Sequence, residues 1–342
     1  MSVALRNLQQ KGHKIDPHEF ESMMAAILLH DIGHGPLSHA LESTLMPNVK
    51  HEQVTVIIME YLNRIFQGRL DTAIEIILNK YPRRFFHQLV SSQLDIDRLD
   101  YLQRDSFFTG VSEGTIASDR IIKMLNIHDD GLVVEEKGIY SIENFLNARR
   151  LMYWQVYLHK TSVAAEKMMV SLIKRAQYLM DKEINVPCSI SLKQFLQEPV
   201  QIEQLITDTT LLQAYCKIDD YDIWSAIKTW QYHSDPVLSN ISRMFLERDL
   251  FQIVLHLDPI EVEVEKLKEK ITDQFQLQNS QDLDFMVCSG TVTNAAYIAG
   301  NTGINILMKQ GAILDIADAS DLPNISALGK IAVSYTHLTL PT

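Results

Sequence analysis

The chain has 342 residues, 46% of them hydrophobic and 22% charged, enough for one large or two smaller domains of roughly 100–200 residues and too apolar for general disorder. No stretch approaches the ~18 uncharged apolar residues of a membrane span, and the start lacks the basic and apolar regions of a signal peptide. Lys and Arg number 31 against 43 Asp and Glu, so the formal net charge is −12. That is the wrong sign for coating nucleic acid, and an anionic ligand would need a local positive field.

Ser2–Gln10 has helical spacing, with Val3, Leu5 and Leu8 apolar, but no capping residue precedes it. The expectation is that an upstream segment is missing. His18–His34, His51–Phe66, Leu70–Asn79, Arg83–Ser92, Ile96–Phe107 and Gly114–Leu125 each carry apolar residues at three- and four-residue spacing and are predicted helices. Asn126–Ser141 alternates around Asp130-Gly131 and Lys137-Gly138, which predicts a small β-hairpin. One long helix is predicted from about Ile142 to Met180, with a break at Asn185–Cys188.

Shorter helices follow from Leu192 to Arg248, one of them started by Asp235-Pro236. Beyond Arg248, Phe251–Leu257, Asp284–Cys288, Ile304–Leu307 and Ala312–Ile316 read as strands and Glu261–Phe275 as an amphipathic helix. Ser334–Thr342 resembles a translated linker and is set aside, with His337, as a non-native tail. The expected organisation is a helical core over 1–181, a helical extension over 182–248, a small α/β segment over 249–333 and the tail at 334–342. Cys188, Cys216 and Cys288 are odd in number and never spaced C-x-x-C, which excludes a disulfide scaffold or zinc ribbon and fits a reducing cytoplasm.

Of the 12 histidines, 6 lie in the first 51 residues. In Leu28–Glu42 (LLHDIGHGPLSHALE), a helix would put His30 and His34 on one face, with Asp31 reaching the same point from the side. Gly35-Pro36 should end that helix and start another, carrying His39 and Glu42, and His51-Glu52 opens the next. A second cluster, Asp95–Asp105 (DIDRLDYLQRD), places Asp97, Tyr101 and Asp105 on one polar stripe, with Ile96, Leu99 and Leu102 as the packing face. Arg149, Tyr153, Tyr157 and Lys160 share a face further on, beside His159. Singly, an HD dipeptide or an acidic run is an ordinary surface feature. The conjunction is not, because buried ionisable groups must be paired or bound to metal.

In this order, His30-Asp-Ile-Gly-His-Gly-Pro-Leu-Ser-His39, His51-Glu52-Gln53, and Asp95-Ile-Asp-Arg-Leu-Asp-Tyr101 with Arg104-Asp105 resemble the HD-domain metal-dependent phosphohydrolases. Within them the sequence is similar to the deoxynucleoside triphosphate triphosphohydrolase branch, over about residues 20–175 including Tyr157-Leu-His-Lys160. It lacks the Gly-Tyr-Pro signature of the cyclic-dinucleotide phosphodiesterases, and its HDIGHG run differs from the alarmone hydrolases. The resemblance implies a mainly α fold, an HD-domain helical bundle with the small β-hairpin and the C-terminal α/β segment. It implies a metal site of His30, Asp31 and Asp97 and a catalytic group of His34, His39, Glu42 and His51. Arg98, Arg149 and Lys160 would meet phosphates, and Tyr101, Asp105, Tyr157 and His159 would lie near sugar or base. Glu42 stands where the family more often has Asp. The family's first metal-binding His belongs to an upstream helix, and neither His13 nor His18 sits in a matching motif. The fragment is therefore expected to begin just after that ligand and to be impaired relative to a full-length enzyme.

Mixed His and carboxylate donors suit Fe²⁺, Mn²⁺ or a related divalent ion, with Mg²⁺ possible, and the lack of thiolate spacing argues against structural zinc. The expected partner is a nucleotide, without membrane, and a homo-oligomer by resemblance. The leading expectation is hydrolysis of a deoxynucleoside triphosphate to a deoxynucleoside and triphosphate. The alternatives are a phosphomonoesterase or phosphodiesterase acting on another nucleotide, and a non-catalytic nucleotide-sensing HD protein.

Overall fold

Apolar periodicity and local caps set most of this chain into helices. The computed structural model describes residues 1–256, 271–272, 280–294, 297–298, 303–323, 325 and 333–340. In chain order the helices and strands are α1 (Ser2–Gln10), α2 (Pro17–Leu29), α3 (Ser38–Leu45), α4 (His51–Ile65), α5 (Asp71–Ile77), α6 (Arg84–Val90), α7 (Ile96–Thr109), α8 (Ser118–Met124), β1 (Leu125–His128), β2 (Gly131–Glu135), α9 (Ile139–Met152) and α10 (Lys160–Asp181). There follow α11 (Ile190–Gln197), α12 (Ile202–Thr207), α13 (Thr209–Tyr215), α14 (Asp220–Trp230), α15 (Pro236–Glu247), β3 (Gln252–His256), β4 (Cys288–Asn294), β5 (Asn305–Leu307), β6 (Ile313–Asp315), α16 (Ile316–Ala319) and β7 (Val333–Leu340). The fold is mainly α, as the sequence predicts. The amphipathic helix expected over Glu261–Phe275 lies, apart from residues 271–272, outside the described residues.

Contacts divide the chain into two compact units. The first comprises Met1–His30, Met59–Tyr157 and Thr293–Val333; the second comprises Asp31–Ile58, Leu158–Val292 and Ser334–Thr342. In the first, Leu5, Leu8, Met23, Phe85, Phe86, Leu89, Leu102 and Phe145 belong to one buried apolar cluster. α2 starts with a capping box: Asp16 accepts from the Glu19 amide, Glu19 answers to the Asp16 amide, and Pro17 fits the first turn. The hairpin turns at Asp129 and Asp130, whose φ of 47° and 60° match the twist of a two-residue turn. β2 also pairs in parallel with β5, which pairs antiparallel with β6, so the hairpin is half of a sheet ordered β1-β2-β5-β6.

In the second unit α10 packs against α3, α11 and α15. Trp230 of α14 is fully buried, and its indole N–H donates to the Pro187 carbonyl at 2.8 Å. Arg175 of α10 donates to both Asp235, the N-cap of α15, and Asp282. β7 pairs antiparallel with β3, with Leu340 opposite Gln252.

Four predicted elements are corrected. The hairpin expected over Asn126–Ser141 ends at Glu135: Glu136–Gly138 coils as a 3₁₀ turn, and Ile139–Ser141 already belong to α9. His18–His34 is not one helix: α2 stops at Leu29, His30 is its C-cap, and α3 begins only at Ser38. The loop between them is pressed onto α4 at Gly33, where a Cβ would stand 2.2 Å from the His51 carbonyl and 2.3 Å from the Thr55 nitrogen. A continuing helix has no room there, so His30 and His34 share no helical face. The single helix expected over Ile142–Met180 is two helices, with a π turn over Tyr153–Tyr157 and His159 as an extended N-cap whose Nδ1 accepts from the Thr161 amide. Asp284–Cys288 is not a strand. Ser280–Phe285 coils as a 3₁₀ turn that buries Leu283 and Met286 three residues apart, and strand pairing begins at Cys288.

Candidate active site

The division between the units falls at the His30–Asp31 peptide bond, so His30 belongs to the first unit and Asp31 to the second. In the second unit, loop 31–37, α3 and α4 bring His34, His39 and His51 together. The His34 ring lies flat on that of His51, with centroids 3.9 Å apart and 16° between planes, and His39 meets His34 edge-on at 5.1 Å. His34 Nδ1 is hydrogen-bonded to the Ser38 hydroxyl at 2.6 Å, and its Nε2 is 3.7 Å from an Asp31 oxygen. One donor atom each from Asp31, His34 and His51 lies within 4.8 Å of the others, and the same holds for Glu42, His51 and Glu52.

The expectation that His39 and Glu42 share α3, and that His51 opens α4, is met. Oε1 of Glu42 accepts the His51 backbone N–H at 2.5 Å and Nδ1 at 2.7 Å. A carboxylate thus satisfies an otherwise orphaned amide at a helix start and fixes the ring that follows. Burial would raise the Glu42 pKa, but the two His51 hydrogen bonds and the neighbouring imidazoles outweigh it, and the carboxyl sits below its ordinary value. For His34 burial dominates and lowers the pKa, with His51 adding to it and Asp31 opposing. With Nδ1 of His51 bonded to Glu42, Nε2 is the ring nitrogen that this carboxylate does not hold.

In the first unit, His30 closes α2, and its Nδ1 bonds the Ile27 carbonyl at 2.8 Å. Its Nε2 faces Asp97 Oδ1 at 3.6 Å. A hydrogen bond to His30 outweighs burial and holds the Asp97 carboxyl below its ordinary value. Asp97 sits in the first turn of α7, which Asp95 caps through the Arg98 amide. Arg98 Nε donates to the Ser92 carbonyl and to Asp95. Asp105 accepts from Tyr157 Oη at 2.7 Å, and Tyr157 meets Tyr101 and Tyr153 edge-on at 6.3 and 5.2 Å. Burial, then Asp105, pushes the Tyr157 phenol well up.

Arg149 of α9 is 7% exposed, and its Nε and Nη1 are buried without a hydrogen-bond partner among the described residues. The Tyr153 ring lies 5.9 Å from its guanidinium carbon. A desolvated cation with unmet donors is suited to an anion. Lys160 and His159 are exposed in the second unit, at the start of α10.

The residues fit a divalent metal by donor chemistry. A carbonyl only accepts, so the bond to Ile27 places a hydrogen on His30 Nδ1 and leaves Nε2 as the ring nitrogen beside the Asp97 carboxylate. An imidazole nitrogen and a carboxylate oxygen side by side are a donor set that suits Mn²⁺ or Fe²⁺. Sequence reasoning missed Ser38, Thr55, Tyr215 and Asp220. The hydroxyl oxygen of Thr55, one turn after His51 on α4, accepts the Gly33 N–H at 3.0 Å, and its i+4 spacing was a usable signal. Tyr215 and Asp220, 182 and 183 residues from Gly33 and Leu37 to which they bond, left no such signal.

Residues 116–186 match the family described as HD associated region. The chain is 34% identical over 246 residues to the uncharacterized protein YwfO of Bacillus subtilis, covering 70% of this chain and 54% of that protein. Human SAMHD1, a deoxynucleoside triphosphate triphosphohydrolase, is 23% identical over 296 residues, which cover 73% of this chain and 44% of the human one. The chain therefore spans about half the length of these curated relatives. The crystal structure of a phosphohydrolase from Bacteroides thetaiotaomicron superposes with a TM-score of 0.94 at 44% identity, covering 100% of this chain and 84% of that one. Together with the ordered histidine and aspartate residues described above, that agreement places the chain in the HD-domain phosphohydrolase family.

Proposed function

We propose that this phosphohydrolase cleaves deoxynucleoside triphosphates with water to a deoxynucleoside and triphosphate. The observation that supports an anionic, phosphate-bearing substrate is Arg149, a buried guanidinium whose Nε and Nη1 lack partners in a chain of net charge −12. The human relative is the source of the deoxynucleoside triphosphate assignment.

His30, Asp31 and Asp97 would hold the divalent ion, Mn²⁺, Fe²⁺ or a relative, with Mg²⁺ admitted. When bound, such an ion polarises a phosphoryl oxygen and acidifies water. Water oxygen adds to the α-phosphorus as the bond from that phosphorus to O5′ breaks. His51, carrying a hydrogen on each ring nitrogen and held by Glu42 at Nδ1, gives O5′ its proton from Nε2, and the proton of the attacking water passes to solvent with the triphosphate product. His34 and His39 donate to phosphate oxygens. Arg149, Arg98 and Lys160 supply the positive field, and Tyr101, Asp105, Tyr157 and His159 take sugar and base. The free thiols Cys188, Cys216 and Cys288 support a cytoplasmic setting; a homo-oligomer rests on the resemblance alone.

The test is a panel of deoxynucleoside and ribonucleoside triphosphates with Mn²⁺ or Fe²⁺, followed by product analysis. Triphosphate with a deoxynucleoside supports the proposal. Orthophosphate or pyrophosphate alone rejects it in favour of a phosphomonoesterase or phosphodiesterase, and nucleotide binding without turnover favours a sensor.

A further inference from the structure

The helical extension reaches back to the loop that carries the histidine cluster. Tyr215, the last residue of α13, is 6% exposed and packs edge-on against Phe195, and its Oη donates to the Gly33 carbonyl at 2.7 Å. Asp220, the first residue of α14, accepts the Leu37 N–H at 2.9 Å. These two bonds hold both ends of the segment from Gly33 to Leu37. The Gly33 carbonyl belongs to the same peptide as the His34 nitrogen, so the phenol fixes the plane from which the His34 side chain departs. Burial pushes the Tyr215 phenol up and keeps it a donor.

Leu37 is a non-glycine residue at φ 46°, in the left-handed region, and such a conformation persists only where its surroundings impose it. Its carbonyl accepts the Ala40 and Leu41 amides at 2.9 and 3.2 Å, which starts α3 and so sets where His39 and Glu42 stand. One hydroxyl therefore controls His34, and one carboxylate controls the helix that bears His39 and Glu42. Neither Tyr215 nor Asp220 belongs to the constellation that the sequence motif defines.

We propose that Tyr215 and Asp220 are positioning residues for the histidine cluster, so that α13 and α14 are a working part of the hydrolytic site. The kinetic part of this inference rests on the phosphohydrolase function proposed above; the structural part does not.

The test uses Tyr215→Phe, which keeps the buried ring and removes only Oη, with Asp220→Ala and Asp220→Asn. With a nucleotide that the wild type hydrolyses, Tyr215→Phe and Asp220→Ala are expected to lower kcat about tenfold or more while KM stays within about twofold, since misplacing reacting groups by an ångström is costly. Asp220→Asn, whose amide oxygen still accepts, is expected to recover most of kcat. In parallel, imidazole NMR signals of His34 and His51, shifted by their stacking, should move in the first two variants and stay in the third. Unmoved imidazole signals, wild-type kcat, or an effect confined to KM overturns the proposal. A wild type without turnover removes the function proposed above, and the imidazole signals still decide the positioning. Should Tyr215→Phe fail to fold, the Asp220 pair carries the same comparison.

Discussion

His51 gives both its backbone N–H and its ring Nδ1 to a single oxygen of Glu42, at 2.5 and 2.7 Å. The same carboxylate thus satisfies an amide at an open helix start and holds the ring through Nδ1, so that Nε2 is the nitrogen it does not engage. Glu42 reaches this position from α3, nine residues earlier, with one more methylene than an aspartate would have.

His51→Ala should abolish nucleotide hydrolysis, a loss of about 100-fold or more for a general acid, while metal content stays at the wild-type level. Glu42→Gln keeps an acceptor oxygen for the His51 amide but loses the charge, so a smaller fall is expected. Steady-state rates with elemental analysis of the purified variants check both; hydrolysis retained by His51→Ala removes that residue from its role.

The Glu42 carboxyl has a folded pKa below its ordinary value of 4.5. The folded state therefore binds the proton more weakly than the unfolded state. Its contribution to stability is present above pH 4.5 and is lost as the pH falls through the lower folded value. Hydrogen exchange at the His51 amide, corrected for intrinsic rate, should hold its protection from neutral pH down to about 4.5 and lose it below that. Glu42→Gln should flatten this dependence. Protection that rises on acidification contradicts the sign.

Local chemistry made much of this site legible. The i, i+3 pair of His39 and Glu42, the opening of α4 at His51, and the stripe of Asp97, Tyr101 and Asp105 on α7 all follow from spacing within one element. The end of α2 at His30 was hidden, since Ile32 continues the apolar period and the obstruction at Gly33 comes from His51 and Thr55, about 20 residues later. The π turn at Tyr153–Tyr157 was hidden as well, because Arg149, Tyr153 and Tyr157 keep four-residue spacing whichever way the backbone coils. Tyr215 and Asp220 act across the unit, and no pattern in a single sequence pairs them with Gly33 and Leu37.

Asp97→Ala should bind less metal than the wild type. A ligand present at 100 times its Kd adds about 2.7 kcal/mol to stability, so Mn²⁺ should raise the Tm of the wild type and have little effect on this variant. Calorimetric melting with and without Mn²⁺, then with a chelator, checks it. An undiminished Mn²⁺ response in Asp97→Ala takes that carboxylate out of the metal site.

Gly33→Ala would place a methyl 2.2 Å from the His51 carbonyl and 2.3 Å from the Thr55 nitrogen, both backbone atoms that cannot swing away. Overpacking of this kind costs about 1–3 kcal/mol, and relief requires the loop to lift off α4 and take His34 with it. Urea unfolding should show the loss of stability, and hydrolysis should fall with it. A variant as stable and as active as the wild type would mean the loop does not rest on α4 as described.

Arg149→Met should separate stability from function. The methionine keeps the length of the stem and removes a cation whose Nε and Nη1 are buried without partners. Leaving such groups unsatisfied costs about 1–3 kcal/mol, partly offset by a contact with the Tyr153 ring worth roughly 0.5–1 kcal/mol. The variant is therefore expected to melt higher than the wild type in the absence of nucleotide. Its affinity for a non-hydrolysable deoxynucleoside triphosphate analogue should fall by about ten- to a hundredfold, because charged hydrogen bonds to phosphate contribute roughly 1.5–3 kcal/mol. Thermal denaturation and titration calorimetry read the two effects separately. Lower stability with unchanged affinity would assign Arg149 to the fold and leave the phosphate without its buried cation.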